Sequence, residues 1–155
     1  MAADVKFSVK AAVENQALVN VTVSEDLEQR FIKKSRSAAW KLIPASIAVS
    51  AVIITVFILL VHFLRRIVFS LAAILFIFFP IYAVYNVFAT SKAIKNHDYE
   101  FLAGTVTGKN DHGYQVSGLE GHDITPFIGK KEYGPGERVI VARLNDELNL
   151  ISETE

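Results

Sequence analysis

From Leu42 to Ala89 the chain carries no acidic residue, and its charges there are the neighbours Arg65 and Arg66. A helix rises about 1.5 Å per residue and a bilayer's hydrocarbon core is about 30 Å thick, so this stretch is roughly twice as long as one crossing needs. It must therefore fold back once. We read residues 42-89 as a two-helix transmembrane hairpin, with spans at 42-64 and 67-89 and the turn at Arg65-Arg66.

Within the hairpin, Trp40 marks the start of the first span as an interfacial anchor, and Pro44 falls in that span's first turn, where a missing amide proton costs little. Ser46 and Ser50 form a small-residue patch suited to close helix packing. Pro80 interrupts the second span, removing the hydrogen bond to the carbonyl of Phe76, and predicts a kink. Phe69, Phe76, Phe78 and Phe79 supply bulk against lipid or against the first helix. A pump or channel keeps ionisable groups at mid-membrane depth. The interior of the spans offers only Ser46, Ser50, Thr55 and Ser70, hydroxyls that can bond back to their own helix. They read as an anchor.

Charge is distributed unevenly along a chain whose formal net charge is zero. Residues 1-41 carry seven basic and five acidic side chains, and residues 90-155 carry seven basic and eleven acidic. Seven cations flank the hairpin on one side, namely Arg30, Lys33, Lys34, Arg36, Lys41, Lys92 and Lys95, against the two of the turn. That bias predicts two spans with both termini in the cytoplasm. No cleavable signal peptide is expected, because the first long apolar run starts only near Leu42. The chain has no Cys, which excludes disulfides, thiolate metal sites and cysteine nucleophiles.

Ahead of the hairpin, Val5, Phe7, Val9, Val13, Ala17, Val19, Val21 and Val23 follow a period of two. This predicts N-terminal β-strands in residues 1-23, docked on the C-terminal module because an isolated hairpin is only marginally stable. Ser24 is an N-cap for a basic juxtamembrane helix over 24-41, with Glu25, Asp26 and Glu28 in its first turn. Arg30, Lys33, Lys34, Arg36 and Lys41, with Trp40, make it either an amphipathic helix on an anionic leaflet or a plain connector whose charges set topology.

After a connector at 90-98, residues 99-155 form a small all-β domain. Strands are expected at Tyr99–Thr107, Tyr114–Val116, Ile124–Ile128, Arg138–Leu144 and Leu148–Ile151. Pro126 demotes the third to an edge or bulge, and the fourth is apolar on both faces, as at the centre of a small barrel. The expected architecture is an α+β membrane protein: the hairpin plus a small cytoplasmic β-barrel-like module of SH3 or OB type. The glycine turn Tyr133-Gly134-Pro135-Gly136, the valine-rich strand after it and the closing Leu148-Asn149-Leu150-Ile151 make the layout similar to the NfeD-like membrane proteins. The resemblance covers Tyr133 to Ile151 and implies a docking module for a membrane scaffold partner. The N-terminal strands fall outside that plan.

Three His-Asp neighbours, His97-Asp98, Asp111-His112 and His122-Asp123, are the metal candidates, with His97, His112, His122 and Asp123 as ligands. No HxH or HxxxH spacing presents two imidazoles together, and the turn propensity of Asp accounts for most of the pattern. No catalytic residue and no cofactor is expected, since no nucleophile elbow, zinc-protease, phosphate-loop or dinucleotide motif occurs. The acidic balance of the β-module opposes nucleic acid as a partner. Two functions follow. The first is a non-catalytic membrane-anchored adaptor or accessory subunit presenting the β-module to a protein partner. The second is a homo-oligomeric small transport or ligand-sensing protein, packed through Ser46 and Ser50 and gated by that module.

Overall fold

The computed structural model describes residues 4-64 and 73-152. The Arg65-Arg66 turn, Phe69 and Ser70 lie outside the described residues. The elements run α1 (Val5–Glu14), β1 (Val19–Asn20), α2 (Glu25–Leu64), α3 (Phe78–Lys95), β2 (Tyr99–Lys109), β3 (Tyr114–Val116), β4 (Thr125–Ile128), β5 (Arg138–Leu144) and β6 (Glu147–Ser152). They divide into two units, one of residues 1-31 with 93-155 and one of residues 32-92.

The first unit is an open mixed sheet with helical segments on it. The strand order is β1-β2-β5-β6-β4, with β3 paired to the far end of β2. All ladders are antiparallel except β4 with β6. The expected barrel is not closed: where a last ladder would run, one isolated bridge joins Tyr114 to Ile124. Strand positions otherwise follow the sequence expectation within a residue or two, and Pro126 sits in the edge strand β4, where a missing donor is tolerated.

The N-terminal strands are corrected over most of their length, for Val5–Glu14 is helical. Val5, Val9, Ala12 and Val13 satisfy the spacing i, i+4, i+7, i+8 as well as Val5, Phe7 and Val9 satisfy a period of two. Tertiary packing decides between the two. Asp4 caps the helix by accepting from the Lys6 amide at 3.0 Å, Val9 and Ala12 are buried in the sheet's core, and Phe7 is left 72% exposed. Only Val19–Asn20 remains a strand, paired with Leu102 and Ala103 of β2.

The core between α1 and the sheet gathers Val9, Ala12 and Leu18 with Leu102, Val106, Val116, Val139, Val141 and Leu150. Gly104 is required in β2 because a Cβ there would come within 2.6 Å of Leu18 Cδ2 and 2.7 Å of Val116 Cγ1. On the opposite face Phe31, in the second turn of α2, is fully buried. It meets the rings of Phe101 and Phe127 edge-on at 5.4 and 5.7 Å. Strand β5 is thus apolar on both faces because helical segments cover both, not because it lines a barrel.

The second unit contains most of α2 and α3. No break separates a juxtamembrane helix at 24-41 from a span at 42-64, since α2 is one continuous helix with Pro44 inside it. A surface-lying amphipathic helix needs a turn before the apolar segment, and none occurs between Lys41 and Leu42. The second apolar segment differs from a kinked helix over 67-89. Residues 73-75 are helical, Phe76 and Ile77 form a turn, and α3 starts afresh at Phe78, putting Pro80 in its first turn. Its C-terminal end absorbs the connector as far as Lys95. Two segments, Glu25–His62 and Ala73–Lys95, are long and apolar enough to cross a membrane. Leu42, Ile47, Val52, Ile58, Ile81 and Phe88 are among the large apolar side chains they expose.

Candidate functional site

Charged residues in the first unit are organised around Arg143. It is the one charged side chain in the interior of an otherwise apolar strand, and it is 8% exposed. Its Nε donates to Glu100 on the neighbouring strand, Nη2 donates to Asp98 Oδ1 at 3.0 Å and Nη1 to the Asn145 carbonyl at 2.8 Å. Asp98 Oδ2 in turn accepts from Lys6 of α1 at 2.8 Å. A buried guanidinium is tolerated only when its donors are matched, and here two carboxylates and a carbonyl match them. Lys6 and Arg143 hold the Asp98 carboxyl below the usual carboxylate range. Burial works against the Arg143 charge, but hydrogen bonds to Glu100 and Asp98 outweigh it and keep the guanidinium protonated beyond its ordinary range.

A second polar chain links α3, β2 and α2. His97 ends α3 with a positive φ of 52°, and the next residue's amide closes the helix onto the Ala93 carbonyl at 2.9 Å. His97 Nδ1 lies 3.2 Å from the Tyr99 hydroxyl, which donates to Glu28. That bond, with burial added, pushes the Tyr99 phenol up to about 12. Beside it lies an open cleft of about 310 Å³ between residues 20-23 and Tyr99–Phe101, with Glu28 and Glu100 contributing carboxylates and no basic residue in its lining.

The metal candidates do not come together. His97 belongs to the Tyr99 chain, and His112 lies in the β2–β3 turn, its amide donating to Asn110. His122 Nε2 lies 2.9 Å from the Ser8 hydroxyl, and Asp123 accepts from Asn110 at 2.6 Å. Among the described residues no group of three His, Asp or Glu side chains is placed to hold an ion. Lys33, Lys34, Arg36, Lys41 and Trp40 are exposed on α2, while Arg30 pairs with Asp26 at 2.8 Å.

Of the helix-packing candidates, Ser46 bonds back to the Ile43 carbonyl at 2.8 Å. Ser50 is 4% exposed and donates to the Phe76 carbonyl at 2.9 Å. Its face is therefore closed by this chain's own second apolar segment. Local patterns in the sequence show no sign of Arg143, Glu100 and Lys6 as a cluster, and single out Asp98 only as the neighbour of His97. The available signal was Arg143 itself, since a charge inside a strand apolar on both faces demands buried partners.

Comparisons with protein-family models, with curated proteins and with solved structures find nothing that matches this chain.

Proposed function

We propose that the protein is a non-catalytic, membrane-anchored adaptor or accessory subunit that presents its sheet unit to a protein partner in the cytoplasm. The observation that carries this reading is the contrast between the units. The apolar segments of α2 and α3 expose nearly all of their side chains, where a soluble core helix would bury them. The sheet unit has a closed core and a structural Arg143 cluster whose charges neutralise each other. Supporting the orientation, in the sequence Arg30, Lys33, Lys34, Arg36, Lys41, Lys92 and Lys95 flank the apolar stretch, against Arg65 and Arg66 within it. Because the chain lacks Cys, single cysteines introduced at Ser37 and at Arg66 of the expected turn report orientation directly. Labelling by an impermeant maleimide in intact cells is expected at position 66 and not at position 37.

Packing through Ser46 and Ser50 into a homo-oligomeric transporter is not favoured, because Ser50 is occupied within the chain. Native mass spectrometry of the full chain, extracted from its own membranes in mild detergent, tests the adaptor reading. A stoichiometric second protein is expected, whereas a homo-oligomer alone would sink it.

A further inference from the structure

Resting on the adaptor reading, we propose that the open edge of β1, extended through Val23, receives an extended basic segment of the partner protein as an added strand. Three observations carry it. The first is backbone direction. The Val21 amide donates to the Phe101 carbonyl at 3.0 Å, and Val19 pairs with Ala103 two residues along. In an antiparallel ladder the bonding direction alternates residue by residue, so Asn20 and Thr22 turn their N–H and C=O groups away from β2. Among the described residues no strand lies beyond β1.

The second is the composition of the edge. Edge strands are normally blunted by a charge, a proline or a bulge. At the other edge β4 carries Pro126, its ladder shifts register there, and Lys130 and Lys131 follow. The β1 edge reads Val19-Asn20-Val21-Thr22-Val23, with none of these devices, and Val19 is 58% exposed. An uncharged, β-branched edge is a template for pairing.

The third is charge. The cleft beside this edge holds Glu28, whose partner is the neutral Tyr99 hydroxyl, with no cation in its lining, and exposed Glu25 follows Ser24; Glu100 is already matched by Arg143 and Asp26 by Arg30. A strand added here sends alternate side chains toward the cleft, and Lys or Arg at those positions complements the carboxylates. A second copy of this chain fits worse, because pairing two β1 edges brings two Glu28 clefts together, neither of which has a cation in its lining.

The test uses the full chain in non-ionic micelles and two capped peptides, Lys-Val-Lys-Val-Lys-Val-Lys and the same peptide with Glu in place of Lys. Binding is read by peptide fluorescence anisotropy, and strand addition by hydrogen exchange at the Asn20 and Thr22 amides. The basic peptide is expected to bind and to slow exchange at both amides by about tenfold or more, the acidic one to do neither. Thr22→Pro removes an outward donor and is expected to weaken binding about tenfold, while Thr22→Ala keeps the donor and binds as the native chain does. Glu28→Gln is expected to weaken the basic peptide by roughly threefold and leave the protection pattern at saturation intact. Equal binding of the acidic peptide, native affinity in T22P, or protection that rises with protein concentration without peptide would each overturn the proposal. So would retention, in native mass spectrometry, of a full-stoichiometry partner by T22P, an outcome that leaves the adaptor reading standing.

Discussion

The hydroxyl of Ser50 donates to the backbone carbonyl of Phe76 at 2.9 Å, a carbonyl in the turn before α3 to which Pro80, four residues on, has no amide proton to give. Among the described residues its other donor is the Phe79 amide, at a long 3.4 Å. In an apolar surrounding an unsatisfied carbonyl is costly. The proline and the serine, far apart in sequence, are thus two halves of one device. The Phe76 ring stands 5.7 Å from that of Phe57 on α2 and consolidates the same contact.

Ser50→Ala should therefore destabilise the pairing of the two apolar segments by about 1 kcal/mol. Pro80→Ala restores an amide that can reach Phe76 O, so in that background the serine substitution should cost clearly less. Unfolding free energies of the four proteins in micelles measure the coupling. Equal costs in both backgrounds would show that the two residues act independently.

Arg143→Ala leaves Asp98 and Glu100, neighbours at the start of β2, without their shared cation on β5. A loss of about 3 kcal/mol in the sheet unit is expected, from the cost of breaking a buried ion pair on one side only. Arg143→Lys should recover part of it, since an ammonium is a point charge and cannot serve Glu100, Asp98 and the Asn145 carbonyl in a fixed fork. Urea unfolding followed through amide exchange in β5 gives both numbers.

The same cluster sets an acid limit. The Asp98 carboxyl is held below its ordinary value of 3.8 by Lys6 and Arg143. Its contribution is complete above pH 3.8 and is lost as pH falls from there through the lower folded value. Asp98→Asn should flatten that part of the stability curve while leaving neutral-pH folding measurable by circular dichroism.

At the alkaline end the sign reverses. Tyr99 is raised from 10.0 to about 12, so its contribution is complete below pH 10 and disappears between pH 10 and about 12. Phenolate absorbance at 295 nm, taken as the difference from a Tyr99→Phe protein, should place the transition near the upper figure. Glu28→Gln should bring it back toward 10.

Gly118 turns the chain under α1 with a φ of +81°, and a Cβ there would lie 2.7 Å from that of Ala17 and 2.9 Å from that of Ala12. Gly118→Ala combines left-handed strain of about 1 kcal/mol with displacement of the helix. Faster amide exchange in α1 than in β5 is the expected signature, and uniform behaviour of the two would argue against a local effect.

How much could be read without coordinates varies by element in a consistent way. The strands β2 to β6 were legible almost to the residue, because Gly, Asn and Asp turns punctuate them and their apolar spacing is unambiguous. The N-terminus was misread because Val5 to Val13 fits both a period of two and a helix, and only the cover the sheet needs on one face chooses between them. The Arg143 cluster was missed because Lys6, Asp98, Glu100 and Arg143 are distant in sequence and meet through a register that no local pattern encodes.

By itself, then, the sequence determined where apolar mass is concentrated, the strand boundaries and the edge position of the Pro126 strand, since these depend on local periodicity and on backbone chemistry intrinsic to each residue. The tertiary structure alone decided that Val5–Glu14 is a helix, that the sheet stays open, and that both faces of β5 are covered. It also decided that Ser50 serves Phe76 instead of a second copy. Each of these turns on which distant surface is available to bury an apolar face or satisfy a polar group, and that availability exists only once the chain has folded.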